Sequence, residues 1–181
     1  MATSPEFYAR RVTLDDLKYA QQATDIFNAA YGANNNNWAS VNRIVTGYFI
    51  TKEDMEKSFR ESVAGNTIQL LLFQKDEEGN DKVVVGTLTV EGSGLLGKFA
   101  VDVAHHSKGL GKILINKAFE EMKKSNFAVC YIMVVESRTN LINWFKKLGF
   151  VDTMERIPFA PPEGVVLHDN TPFATFRKAL K

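Results

Sequence analysis

Phe99-Ala100-Val101-Asp102-Val103-Ala104-His105-His106-Ser107-Lys108-Gly109-Leu110-Gly111-Lys112-Ile113-Leu114-Ile115 is the stretch on which the fold turns. It opens as an apolar run suited to a strand ending near Val103, crosses a polar turn with two glycines, and enters a helix. Leu110, Ile113, Leu114, Ala118, Phe119 and Met122 keep helical spacing and give that helix one buried face. A strand that feeds a helix through glycines leaves unpaired amides at the helix start. Those donors and the positive end of the helix dipole suit a phosphate group. Lys108 and Lys112 add positive charge beside them.

Other phosphate motifs fit this turn poorly. A P-loop needs glycine at position 106 and Ser or Thr at 113, where the chain has His106 and Ile113. A dinucleotide fingerprint needs a third glycine at 114, where the chain has Leu114. Gly92, Gly94 and Gly97 match G-x-G-x-x-G, but they lead into a strand and are expected to form a hairpin turn. We read the turn at Gly109 and Gly111 as a cradle for the diphosphate of a CoA-type cofactor.

At 181 residues the chain fits one domain, 1–181, with enough length for a sizeable core. A hydrophobic fraction of 45% and a charged fraction of 24% are ordinary for a globular protein. The net charge of +1 argues against a nucleic-acid surface built on bulk charge. The single cysteine, Cys130, excludes an internal disulfide and lies in an apolar run, as a buried structural thiol does. No apolar stretch reaches membrane-spanning length, and Met1 to Glu6 lack a signal-peptide pattern. The expectation is a cytoplasmic protein with neither nucleic-acid nor membrane partners.

The rest of the chain supplies a coarse order. Phe7 to Val12 reads as a strand. Thr13 with Asp16, and Thr51 with Asp54, are capping boxes that start helices closed by Gly32 and Gly65. Asn34 to Asn37 form a polar run beside the aromatics Trp38, Tyr48 and Phe49, which either tuck onto the core or line a pocket. Thr67 to Gln74 and Lys82 to Val90 are strands joined by an acidic turn, and with the strand ending near Val103 they make an antiparallel meander. Phe127 to Val135 is the next strand, parallel to and beside the one before the central helix. Asn140 is expected to cap a short helix carrying Leu141, Phe145 and Leu148. Gly149 ends it, Phe150 opens another strand, and Phe173 to Leu180 is the last.

This order resembles the GNAT acyl-CoA N-acyltransferase fold, an α+β architecture with a mixed central sheet of about six or seven strands and about four helices. The motifs agree. The family signature of Gln or Arg, two residues, Gly, one residue, then Gly or Ala is similar to His106-Ser107-Lys108-Gly109-Leu110-Gly111, with His106 in the first place. Leu148-Gly149-Phe150 resembles the "LGF" that follows the family's last helix, and Asn28 to Tyr31 through Glu155 to Phe159 resembles one of its subgroups.

The resemblance implies that acetyl-CoA, as co-substrate and without a metal, lies in a cleft between the strands ending near Val101 and Val135. There His106, Ser107, Lys108, Gly109, Leu110, Gly111 and Lys112 hold the diphosphate. Asn140 either bonds the pantetheine arm or serves only as a cap. The Val101 amide stabilises the oxyanion. An amine near pKa ~10.4 must lose a proton before it attacks. Glu136 is the first candidate base, with Asp102, Glu91 and His105 behind it. His105 and His106 lack a third ligand at metal-site spacing.

The family often places a tyrosine where this chain has Phe145, which has no hydroxyl to protonate the departing thiolate. Tyr131 or Ser137 could substitute, or the thiolate could leave unassisted. The implied activity is acetyl transfer from acetyl-CoA to a primary amine of a small molecule or peptide, by direct attack in a ternary complex. The alternative is a non-catalytic acyl-CoA-binding or regulatory module. A homodimer is admissible.

Overall fold

The computed structural model describes residues 6–32, 45–46, 49–105, 108–161, 163–167 and 171–181. His106 and Ser107 of the expected cradle, and Asn34 to Asn37, Trp38 and Tyr48 of the polar connection, lie outside the described residues.

Strand β1 (Phe7–Arg11) is followed by a 3-10 turn (Leu14–Tyr19) and α1 (Ala20–Gly32). Both partners of the first capping box are in place, with the Thr13 amide donating to Asp16 at 2.7 Å. The helix therefore starts as expected, but its opening turns are wound tighter than an α-helix. The two-residue strand β2 (Val45–Thr46) pairs with β8 (Val166–Leu167), and α2 (Lys52–Val63) begins at the Thr51–Asp54 box. Strands β3 (Ile68–Lys75), β4 (Asp81–Val90) and β5 (Leu96–Val101) form the antiparallel meander, with β1 outside β3.

After β5 the chain turns through a 3-10 segment (Val103–His105) into α3 (Leu110–Lys124). The strand thus ends at Val101, two residues short of expectation, because the Asp102–His105 turn takes over the backbone bonding (His105 N–H to Asp102 O, 2.9 Å). Then come β6 (Val129–Val135), α4 (Thr139–Lys147), β7 (Val151–Ile157) and β9 (Phe173–Ala179).

The seven long strands divide into a four-stranded sheet, β1-β3-β4-β5, and a three-stranded sheet, β6-β9-β7. The expected parallel neighbours β5 and β6 meet at one bridge, Leu95 with Tyr131. Gly94 permits that approach. It has a φ of +89°, and an added Cβ would lie 2.7 Å from the Val129 carbonyl. The Gly92–Gly97 segment is the expected hairpin, closed by the Gly94 amide on Glu91 O at 2.8 Å.

Two cores cover the two faces of the four-stranded sheet. Helix α3 buries Leu110, Leu114, Ile115, Ala118, Phe119 and Met122 in the larger core, which also holds Val101, Ile142 and Phe145. Each large side chain of that stripe contributes about 1.5–3 kcal/mol on burial. Helices α1 and α2 cover the other face with Phe27, Met55 and Phe59 packed on Leu71, Phe73 and Ala100. Cys130 is fully buried and its thiol is pushed up to about 12 by burial, so it is an inert core residue.

Candidate active site

The candidate site is the gap that opens between β5 and β6. At the closed end, the Tyr131 amide donates to Gly94 O at 2.9 Å. Beyond it β5 pairs only with β4, and β6 only with β9, among the described residues. A bulge drives β5 away. Its register slips between Thr87 and Thr89, so that Lys98 and Phe99 together oppose Leu88, and Lys98 takes a φ of +44°.

Ladder parity shows which main-chain groups face the gap. The Asp102 amide bonds Val85 O at 2.7 Å, so its neighbour Val101 directs its N–H and C=O away from β4, toward β6. On the facing strand, the Leu180 amide bonds Ala128 O and the Glu136 amide bonds Pro172 O, both at 2.9 Å. The even-numbered residues of β6 therefore bond to β9, and Met133 and Val135 present their amides to β5. Two splayed strand edges of this kind can receive a third extended chain.

Two helices start at the open end, α3 after β5 and α4 after β6. At the start of α2 the Thr51 hydroxyl accepts from the Asp54 amide, whereas α3 and α4 have no side-chain cap bond among the described residues. The residue before α3 is Gly109 in the left-handed region (φ 72°, ψ 16°), with nothing within 4 Å of an added Cβ. The amides of Leu110, Gly111 and Lys112 precede the first helical bond. No turn or cap bond among the described residues uses them. Lys108 and Lys112 are exposed and lack an ion-pair partner there, unlike Lys117 and Lys124, which pair with Glu120. Among the described residues, the start of α3 therefore combines unused amides with two exposed lysines.

An added Cβ on Gly111 would sit 3.6 Å from the Phe99 ring and 3.8 Å from Trp144, which ties the start of α3 to α4. Phe145 lies in the same aromatic cluster, with ring centroids 5.0 Å from Trp144, 5.4 Å from Phe150 and 6.5 Å from Phe99. Its ring is 4% exposed. Phe145 is therefore a core residue beneath the cradle.

Asn140 does not cap α4. Arg138 occupies the cap position, and Asn140 is the second helical residue, with its side chain exposed. Arginine has no acceptor and cannot close that turn.

Glu136 follows β6 at the open end. Its Oε1 accepts from Arg156 Nε at 2.8 Å, and Arg156 is itself clamped by both oxygens of Asp152 at 2.9 Å. The Arg156 bonds and the Met154 amide hold the Asp152 carboxyl down at about 2. The other candidate bases sit elsewhere. His105 Nδ1 is 3.0 Å from Asp102, and its ring packs edge-on against Phe7 of β1, across the sheet from β5. Glu91 belongs to the hairpin at the closed end, where Tyr131 also lies. Ser137 stands beside Glu136 at the open end and is exposed.

Sequence reasoning passed over Tyr31 and Arg138. The Tyr31 hydroxyl donates to Phe99 O at 3.2 Å, which brings the end of α1 to the β5 wall. Burial pushes the Arg138 guanidinium below its usual range, and the nearby Tyr31 phenol opposes that shift. The cue for Arg138 was available as a basic residue at the strand-to-helix junction, but a search for Ser, Thr, Asp or Asn caps passes over it. Among the described residues no group of three or more His, Cys, Asp or Glu could hold a metal, and no helix is long and apolar enough to cross a membrane.

The chain has a mixed α+β fold in which two parallel strands splay apart and each runs on into a helix at the open end. The sequence profile of the acetyltransferase (GNAT) family matches residues 38–150, and the chain belongs to that family. Solved structures share the fold. The yncA protein of Salmonella typhimurium, solved with its cofactor acetyl-CoA, aligns at a TM-score of 0.69 and 16% identity, covering 97% of this chain and 95% of that one. An N-acetyltransferase from Staphylococcus aureus aligns at 0.68 and 16%, covering 97% and 99%. The paia N-acetyltransferase of Thermoplasma acidophilum, in complex with coenzyme A, aligns at 0.64 and 16%, covering 96% and 99%. No curated protein sequence gives a significant match.

Proposed function

We propose that the protein is an acetyl-CoA-dependent N-acetyltransferase acting on a primary amine of a small molecule or peptide. The observation that carries this reading is that the Leu110, Gly111 and Lys112 amides, used by no turn or cap bond among the described residues, lie at the mouth of a splayed strand pair. Bound acetyl-CoA supplies an activated acetyl group, which passes to the amine nitrogen as an N–C bond forms and the C–S bond breaks. The uncapped first turn of α3, with Lys108 and Lys112, holds the diphosphate; His106 and Ser107 belong to the same loop. The edge amides of Met133 and Val135 hold the pantetheine arm, and Asn140 lies at its margin.

The Val101 amide, turned toward the gap by its register, polarises the carbonyl under attack. A donor of this kind is worth about 2.7–4 kcal/mol. Glu136 accepts the amine proton, directly or through water, while Arg156 fixes its orientation.

The second reading is a non-catalytic acyl-CoA-binding module. Phe145 favours it, since its buried ring puts no acid where the thiolate departs. Thiol release separates the two. The enzyme reading expects free CoA to appear only when acetyl-CoA and an accepted amine are both present. Tight acetyl-CoA binding with no thiol released over polyamines, amino acids, aminoglycosides and peptides selects the binding module.

A further inference from the structure

Four arginines among the described residues are half-buried: Arg10, Arg11, Arg138 and Arg156. Three face carboxylates, Arg10 with Asp16 at 2.7 Å, Arg11 with Glu121 at 3.8 Å and Arg156 with Asp152 at 2.9 Å. Arg138 has no side-chain hydrogen bond or ion pair among the described residues. Its backbone is fixed, with its amide on Val135 O at 2.9 Å and its carbonyl accepting from Ile142 at 3.0 Å. A guanidinium drawn partly out of water and left unpaired is costly unless a ligand completes it.

Its position says which ligand. Arg138 stands at the head of the β6 wall and Tyr31, bonded to Phe99 O, stands at the β5 wall. Tyr31 belongs to the α1–α2 face of the sheet, whereas α3 with its cradle packs on the opposite face. Arg138 lies near enough to Tyr31 for their charges to interact, so a molecule entering past the end of α1 meets it. The nearest acidic group in sequence, Glu136, is already held by Arg156. The entrance offers a cation without a side-chain partner among the described residues, which repels a polycation and suits a carboxylate, the planar partner of a guanidinium.

We propose that the acceptor is an amine that also carries a carboxylate, an amino acid or an acidic peptide, and that Arg138 binds that carboxylate as a specificity-determining residue. This rests on the acetyl-transfer reading above.

The test compares wild type, Arg138→Gln and Arg138→Lys. Each of the twenty amino acids is offered against its own carboxamide, with spermidine as the polycation, and thiol release is followed. The same proteins, loaded with CoA, are titrated calorimetrically with N-acetyl amino acids and their amides. Wild type should prefer acids over amides by about 10- to 100-fold in kcat/KM and in product affinity. Arg138→Gln should erase that preference and leave the acetyl-CoA Kd within about twofold, and Arg138→Lys should restore part of it.

Equal use of acids and amides by wild type, a preference for spermidine, or a preference intact in Arg138→Gln would overturn the assignment. So would Arg138→Gln weakening acetyl-CoA in place of the acceptor, since Arg138 would then serve the cofactor. If no amine is acetylated, the acetyl-transfer reading fails separately, and the calorimetric comparison of acids with amides still decides the role of Arg138.

Discussion

Gly109 offers a perturbation in which stability and binding should move in opposite directions. It holds φ 72° and ψ 16° at the residue before α3, with open space around an added Cβ. Gly109→Ala meets no clash but carries left-handed strain, about 1–2 kcal/mol. Aspartate tolerates that region better than alanine, so Gly109→Asp should be the more stable of the two variants. Binding should rank the other way. A carboxylate about 5 Å from a phosphate, at effective dielectrics between 20 and 80, costs about 1–3 kcal/mol per phosphate charge. That is roughly a 5- to 150-fold loss of CoA affinity for the aspartate variant. The alanine variant should stay within a few-fold of wild type. Thermal melts and calorimetric titration with CoA give both rankings, and Trp144, packed against Gly111, offers a fluorescence signal. A folded Gly109→Asp protein with wild-type CoA affinity would mean that the diphosphate sits elsewhere.

Other outcomes follow from the same geometry. Glu136→Gln should lower kcat by about 100-fold or more and leave the acetyl-CoA Kd unchanged; a wild-type rate would remove Glu136 from the chemistry. Phe145→Tyr places a hydroxyl within the Phe99–Trp144–Phe150 cluster, and an unsatisfied one costs about 1–3 kcal/mol. Lower melting temperature without faster thiol release is expected, and a rise in turnover would show that the hydroxyl reaches the gap. The folded Asp152 carboxyl, held at about 2, lies below its unfolded value. Its stabilisation is therefore complete above about pH 4 and lost as pH falls toward 2. Asp152→Asn should flatten the dependence of melting temperature on pH across that window, and an unchanged slope would mean that the Arg156 clamp contributes nothing.

Much of the fold was legible because local signals agreed with one another. The helical spacing from Leu110 to Met122, the capping boxes at Thr13 and Thr51 and the hairpin glycines each specify one conformation, and the structure adopts them. The left-handed Gly109 before α3 was legible for the same reason, since a glycine between strand and helix suits that turn. What stayed hidden depends on register and on packing between distant segments. Ladder parity aims the Met133 and Val135 amides into the gap, and nothing in the run from Val129 to Val135 encodes which parity is used. The bulge at Lys98 is set by the pairing of β5 with β4. His105 and Asp102 adjoin the cradle in sequence, yet the 3-10 turn swings the pair toward Phe7. Asn140 looked like a cap because its residue type suits one, whereas the chain enters the helix two residues earlier.

Every role proposed for the cofactor requires that the first amides of α3 bind the diphosphate of coenzyme A. Backbone amide shifts of Gly109, Leu110, Gly111 and Lys112, followed by NMR while CoA and then pantetheine are titrated, decide whether they do. All four resonances should move with CoA and stay in place with pantetheine, which lacks the diphosphate. Unmoved resonances at saturating CoA, or equal shifts with both ligands, would contradict that requirement.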